Sequence, residues 1–364
     1  EGAKVPRTEN IEVPRTIVTP GDAKSIPELY AQASKLAASG EHARAAREFA
    51  RVAALDPNGE LADDALFQSA SEHDEASEFG DAAATYRELA RRYPKSEFRS
   101  RAMLSATRLY AHLEQYREAG ELAEHLLAEK QELGPFALVV LYGASALSRL
   151  DAGDEKSAAD YIEKGREIID ARQLDAAGQI SRDLSSLYFA LGELRRRRAE
   201  RIVFQPTPPN FGAVLEQRCQ LLLDAESAYS DAMRAYDAHW STMAGFRVGE
   251  LYEKLHEDLM KVTPPASADT VQKRQLFEGA MRLRYAILLE KALKMMEHTL
   301  AMAARTGEHS GWVAKSEQAK KAIEQAMKRE DAALAALPYS RGTLQMALDM
   351  LEKKHSSESA NPYK

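Results

Sequence analysis

The feature of this sequence that most constrains its fold is a pattern of small residues that recurs at a fixed interval. Ala45, Ala82 and Ala119 are each 37 residues apart, and an aromatic residue follows the first two by one helical turn. A further unit covers residues 142–162, with Ala158 in the place of the small residue. Spacing of this length is typical of chains built from stacked copies of one supersecondary unit, because a single copy cannot bury its own apolar face.

Each unit is predicted to be a pair of antiparallel helices. Ala, Leu, Glu and Arg dominate the composition, and these residues lose little side-chain freedom in a helix. Gly40 and Gly153 lie where the chain must reverse, and Pro57 and Pro94 follow second helices that a proline would end. Apolar residues make up 45% of the chain, enough for a continuous core. The fold class is therefore predicted to be an all-α solenoid of antiparallel helix pairs.

Two phrases resemble a known repeat family. Gly-Glu-His-Ala-Arg-Ala-Ala-Arg-Glu-Phe at 40–49 and Ala-Arg-Arg-Tyr-Pro-Lys-Ser at 90–96 resemble the tetratricopeptide repeat, whose usual period is about 34 residues. The longer period here is similar to long-helix members of the bacterial cell envelope, namely the lipoprotein partner of the barrel-assembly machine and the Tol–Pal coordinator. The resemblance covers about residues 25–170, and Leu29, Leu66 and Met103 stand where the family has Trp. It implies a protein-binding scaffold in the periplasm.

The second half of the sequence is helical but irregular. A helix rich in small residues leads to Trp240, and another leads to Trp312, as in two degenerate repeats. The phrases at 246–252 and 288–293 are similar to those of large repeat proteins of myxobacteria and other deltaproteobacteria, which implies a motility or secretion machine as the setting. The predicted organisation is an extended arm at 1–24, a solenoid at 25–203, a proline-rich break at 204–212, degenerate pairs at 213–355 and a tail at 356–364. The break could equally be a rigid loop within one solenoid.

The first helix of each pair is expected to line the concave side of such a solenoid. That side combines aromatic anchors with polar groups, a mixture that suits an extended peptide or a partner helix. The alternative is that the aromatic residues Tyr30 and Phe67 pack between repeats instead. The candidate partner-binding residues are Tyr30, Ser34, Phe67, Ser71, Asp74, Leu104, Arg108 and His112.

Charge limits the choice of partner. The net charge of −7 makes nucleic acid a poor partner, since the phosphate backbone demands a basic surface. The local exception is the run Arg195, Arg196, Arg197 and Arg198, with Arg201 close behind. This run predicts either a solvated helix end or a docking patch for an acidic protein or a lipid headgroup. No stretch has the ~18 apolar residues that a membrane span needs, so any outer-membrane association would be peripheral.

The sequence contains no motif that indicates catalysis, a cofactor or a metal. Gly-rich phosphate loops and nucleophile elbows are absent, and the single cysteine, Cys219, can form neither an intrachain disulfide nor a thiolate zinc cluster. We therefore expect a non-catalytic scaffold in the periplasm, and a chain that begins at Glu1 is compatible with a removed targeting segment or with trimming. Two alternatives stay open: a cytoplasmic adaptor, and a helical enzyme with a site around His239, His256 or His298.

Overall fold

A computed structural model describes residues 25–129, 132–176 and 180–347. The predicted arm at 1–24 and tail at 356–364 lie outside these ranges, as does the end of the predicted C-terminal region. Thirteen α-helices and one 3₁₀ turn lie wholly within these ranges, residues 341–347 are also helical, and the described residues contain no strand. The predicted all-α fold of antiparallel helix pairs is confirmed. The chain forms two compact units, with the division between Phe98 and Arg99.

The first unit contains two helical hairpins. Its helices are α1 (Ile26–Ala38), α2 (His42–Leu55), α3 (Ala62–Glu75) and α4 (Phe79–Arg92), and each contacts the next along the chain. Ala45 and Ala82 are fully buried, as their spacing predicts, so the helices can approach closely at these points. The aromatic rings one turn later, Phe49 and Tyr86, are also buried. Their burial supplies the apolar area that stabilises the pairs.

The hairpin turns repeat in atomic detail. Gly40 and Ser77, again 37 residues apart, have left-handed φ angles of 78° and 60°. In each turn the amide of the following residue donates to a carbonyl five residues earlier: Glu41 to Leu36 at 3.0 Å and Glu78 to His73 at 2.8 Å. These bonds satisfy carbonyls that the end of a helix would otherwise leave unpaired. The 37-residue period therefore describes the turns as well as the core.

In its described residues the second unit contains nine α-helices, the 3₁₀ turn Arg182–Leu184 and a further helical segment at 341–347. Its first two hairpins have the same left-handed turn, at Glu114 and Gly153. The helices are α5 (Arg99–His112), α6 (Tyr116–Ala128), α7 (Pro135–Asp151), α8 (Glu155–Arg172), α9 (Ser185–Glu200), α10 (Phe211–Met233), α11 (Ala238–Met260), α12 (Val271–Thr306) and α13 (Gly311–Ala335).

The proline-rich segment lies inside this second unit. Helices α9 and α10, which flank it, pack against each other. The Gln205 side chain donates to the Lys261 carbonyl, and the hydroxyls of Thr207 and Thr263 are 2.8 Å apart. The segment thus connects α9 and α10 within the second unit.

The long C-terminal helices pack very closely. Gly245 on α11 lies against Thr299 on α12, where an added Cβ would be 2.2 Å from the threonine Oγ1. Trp240 and Trp312 are each near the start of their helices, α11 and α13, as the sequence predicts. The side chain of Asp237 accepts a hydrogen bond from the Trp240 amide at 3.0 Å and caps α11.

Candidate protein-binding faces

In the first unit, Tyr30 on α1 joins the two hairpins. Its hydroxyl donates to Asp64 on α3 at 2.5 Å, and its ring meets the edge of Phe49 with centroids 5.1 Å apart. Burial raises the pKa of Tyr30, and the bond to Asp64 adds to that effect. Ser34, one turn along α1, donates its hydroxyl to the Tyr30 carbonyl at 3.0 Å. Both Tyr30 and Ser34 are half-buried, so part of this face is open to solvent.

Phe67 on α3 is a core residue. It is 8% exposed, and its ring packs against Phe98 and Tyr86 at centroid distances of 5.0 and 5.4 Å. This is the packing between helices that the sequence left as the alternative to a groove position. Ser71 and Asp74, farther along α3, are half-buried. Of the candidate residues in this unit, Tyr30, Ser34, Ser71 and Asp74 therefore remain accessible.

In the second unit, the candidate residues on α5 contact the chain itself. Arg108 forms an ion pair with Asp183 of the 3₁₀ turn at 3.1 Å. The ring of His112 lies against the ring of His239 on α11, with centroids 3.9 Å apart. Leu104 is half-buried. Two of the three predicted groove residues of α5, Arg108 and His112, thus contact other residues of the same unit.

The contact between the histidine rings lies in an apolar and acidic environment. His239 is 6% exposed, and neither ring nitrogen has a hydrogen-bond partner. Its Nδ1 is 3.6 Å from a carboxylate oxygen of Glu308. Burial and the adjacent His239 lower the pKa of His112 to about 4, although Asp237 and Glu308 oppose that shift. The His112 ring is therefore neutral at pH 7.

Both tryptophans border this contact. Trp240 follows His239, with ring centroids 6.1 Å apart. Trp312 at the start of α13 donates its indole N–H to Glu114 in the α5–α6 turn at 2.8 Å. These two rings are 6% and 4% exposed, respectively. The N-terminal ends of α11 and α13 thus close over the α5–α6 turn.

Most arginines of the predicted basic patch form ion pairs or hydrogen bonds within the chain. Arg196 pairs with Glu193 and Glu200, both at 2.8 Å, on its own helix α9. Arg195 donates to the Asp224 carbonyl and Arg197 to the Leu150 carbonyl. The remaining two are Arg201, which pairs with Glu155, and Arg198, which is exposed. Glutamates three residues before and four after Arg196 were a local signal for pairing within the helix.

Glu193 lies at the centre of a buried charge network that the sequence analysis missed. This carboxylate is 6% exposed and accepts hydrogen bonds from Arg196 and from the Tyr229 hydroxyl, the latter at 2.7 Å. Arg247 on α11 lies 2.9 Å away through its Nε. Burial raises the pKa of Glu193, but the two guanidinium groups outweigh burial and lower it overall. The network joins α9, α10 and α11.

The histidines proposed for a helical enzyme have different surroundings. His239 packs on His112, His256 is buried near Arg282 and Glu330, and His298 is exposed on α12. Two cavities of about 380 and 210 Å³ open in the second unit, and no histidine lines either. The cavities are lined by Leu223, Glu226, Ser227, Ser230, Asp231 and Arg234, and by Leu259, Met260, Val262, Phe277, Glu278, Met281 and Arg282.

One set of potential metal ligands lies in the α3–α4 turn. Ligand atoms of His73, Glu78 and Asp81 are all within 4.8 Å of one another. His73 Nδ1 and Glu78 Oε2 are 2.7 Å apart and already hydrogen-bond to each other, while Asp81 is exposed. The His73–Glu78 bond reinforces the turn, and acidic groups at the first turn of a helix are expected from the helix dipole alone.

No helix in the described ranges has both the length and the apolar character needed to cross a membrane.

The chain is similar to known proteins at low sequence identity and low TM-score. No protein-family model and no curated protein matches the sequence. A tetratricopeptide repeat protein from Parabacteroides merdae is 13% identical, over 82% of this chain and 98% of that one, with a TM-score of 0.42. BtubC from P. vanneervenii is 15% identical, over 88% and 96% of the two chains, with a TM-score of 0.21. A circular tandem repeat protein with novel repeat topology is 15% identical, over 92% and 90%, with a TM-score of 0.17. At these identities and TM-scores, no partner or activity is transferred from these proteins to the chain.

Proposed function

We propose that this protein is a non-catalytic scaffold that binds another protein through the α1–α3 face of its first unit. The observation that carries the proposal is the pair of stacked hairpins joined by the Tyr30–Asp64 bond, whose first helices present half-buried polar and aromatic side chains. Such a mixture supports binding of an extended peptide or a partner helix.

The charge of this region favours a basic partner segment. Residues 52–86, which include all of α3, contain nine Asp or Glu and no Lys or Arg. A like-signed surface of this kind attracts an oppositely charged segment and speeds its association, and salt weakens the effect. The partner segment is therefore expected to carry Lys or Arg beside an apolar anchor.

The cellular setting is proposed from the sequence resemblance. Long-helix repeat proteins of the bacterial envelope support a periplasmic or outer-membrane-associated assembly, with motility or secretion machinery as the setting. A cytoplasmic adaptor is the alternative that the same residues support. Fractionation of cells that express the full-length gene product separates the two, since recovery in the cytoplasm alone would contradict the periplasmic proposal.

A pull-down with variants of accessible residues tests the face itself. Ser71→Arg/Asp74→Lys reverses the charge of the α3 face, while Ala84→Arg/Glu88→Lys makes the same change of charge on α4. Phe67 is left intact because its ring belongs to the core. We expect the α3 variant to lose the principal partner of the wild-type protein and the α4 variant to retain it. Retention by both variants would refute binding through the α1–α3 face.

A further inference from the structure

The end of α5 is a face of the proposed scaffold that the chain itself covers. His112 meets His239 with ring centroids 3.9 Å apart, and Glu114 accepts the Trp312 indole N–H at 2.8 Å. Two residues at the N-terminal ends of α11 and α13 thus occupy the place where a partner would meet this repeat. Access to this end of α5 depends on whether these contacts hold.

The histidine contact is stable while the His112 ring is neutral. Neutral imidazoles stack as aromatic rings. On the other side of the contact, the carboxylate of Glu308 is 3.6 Å from His239 Nδ1. A proton on His112 would place a positive charge directly against the buried ring of His239, where a charge is poorly solvated.

The charged groups around the pair define the pH range. Asp237, the cap of α11, and Glu308, in the loop before α13, both favour protonation of His112. Burial and His239 oppose it more strongly and lower the pKa of His112 to about 4. Glu308 itself is held ionised: burial raises its pKa, but hydrogen bonds from Ser310 and the interaction with His239 lower it overall. Protonation of His112 therefore requires acid well below neutral pH.

We propose that the His112–His239 pair is an acid-sensitive latch, which holds the α5–α6 turn against α11 and α13 at neutral pH and releases it on acidification. Release would uncover the C-terminal end of α5 for a protein partner. This inference rests on the proposed scaffold function only for the use of the uncovered face, and the latch itself is defined by contacts within the chain.

Tryptophan accessibility reads the latch directly, because the only two tryptophans of the chain, Trp240 and Trp312, border it. Quenching by acrylamide measures how exposed these rings are. Emission intensity alone would not serve, since a protonated His239 could quench Trp240 without any movement. Far-UV circular dichroism, recorded on the same samples of the full chain, reports whether the helices persist.

We expect the acrylamide quenching constant to rise several-fold between pH 7.5 and pH 3.5 with the helical signal retained. His239→Phe keeps a ring in the contact and removes the imidazole that opposes a proton on His112, so the rise should be smaller. His112→Gln removes the ring that takes up the proton and provides an independent variant if His239→Phe does not fold. His298→Gln changes an exposed histidine on α12 and should behave as the wild type.

A flat quenching constant in the wild type would overturn the latch, as would an undiminished rise in both His239→Phe and His112→Gln. Because no partner is present, this result is independent of the pull-down. If the pull-down refuted binding through the α1–α3 face, a pH-dependent change in quenching would still support the latch. If quenching did not change with pH, the proposal for the α1–α3 face would still stand.

Discussion

Glu193 is a buried carboxylate surrounded by groups from three helices: Arg196 on α9, Tyr229 on α10 and Arg247 on α11. Burying a charge is costly, and here the cost is offset because each carboxylate oxygen has a cationic or hydroxyl partner. Removal of the carboxylate alone would take from Arg196 and Arg247 the buried partner that they share and leave each with one glutamate on its own helix, Glu200 and Glu250. The free energy of unfolding should therefore depend more on Glu193, at the centre of the network, than on the residues at its edge.

We expect Glu193→Ala to lower the free energy of unfolding by about 3–5 kcal/mol, measured by urea denaturation. Glu88→Ala is the control, since it breaks a solvent-exposed ion pair with Arg91 and should change stability little. Equal effects of the two substitutions would contradict the assignment of Glu193 as the centre of a buried network.

His256 is a second buried titratable residue, 4% exposed and with no hydrogen-bond partner at Nε2. Burial lowers its pKa from the usual 6.5; Glu330 opposes this shift and Arg282 adds to it. As pH falls below 6.5, the unfolded chain takes up a proton at this position before the folded chain does. Stability must therefore fall with decreasing pH in this range.

We expect His256→Gln to flatten the dependence of unfolding free energy on pH between 7 and 5, with a change in slope of at most one proton. His298→Gln, on the exposed side of α12, should leave the dependence as in the wild type. Parallel curves for wild type and His256→Gln would show that His256 has the same pKa in the folded and unfolded states.

At the scale of the elements, the hairpin turns contain a measurable strain. Ser77 has a φ of 60°, a left-handed conformation that costs a residue with a Cβ about 1–2 kcal/mol. Gly40 occupies the same place in the preceding repeat, and a Cβ there would meet no atom within 4 Å. The two positions thus differ in backbone preference and not in crowding.

We expect Ser77→Gly to raise the free energy of unfolding by roughly 0.5–1 kcal/mol and Gly40→Ala to lower it by about 1 kcal/mol. Thermal and urea unfolding of the two variants beside the wild type provide the measurement. Changes of the same sign would show that the turns are not equivalent.

The elements themselves could be predicted because their signals are local. The period of Ala45, Ala82 and Ala119 specified the helix pairs, and each of these residues is fully buried. The left-handed conformations of Ser77 and Glu114 could not be predicted from residue type, since neither residue favours φ > 0. Their equivalence to Gly40 at the same period was the available signal.

At the scale of the whole molecule, the sequence predicted a concave face but could not show which parts of it remain accessible. The partners of Arg108 and His112 are Asp183 and His239, which lie far along the chain. Contacts at such separations leave no periodic pattern, so local reasoning cannot detect them. Phe67 shows a related difficulty. The sequence pattern is the same for an aromatic residue in the core and for one in a groove, and the structure places Phe67 in the core.

The contact between Trp312 and Glu114 spans 198 residues. Arrays of helical hairpins usually fold quickly, because each unit meets only its neighbours and folding can begin anywhere. The chain must lose conformational entropy to close a loop of this length before the stabilising contact forms. Contacts between residues far apart in sequence therefore slow folding. The second unit should therefore acquire its helices before it closes.

Refolding after dilution from urea separates these events. We expect the far-UV circular dichroism signal to recover with a larger rate constant than tryptophan fluorescence, and Glu114→Ala to alter only the fluorescence phase. Identical rate constants for both probes would mean that closure accompanies helix formation.

If the two phases separate, newly made protein would pass through an interval in which its helices are complete but the end of α5 is still uncovered. A partner present during synthesis could then bind a face that the finished protein no longer offers.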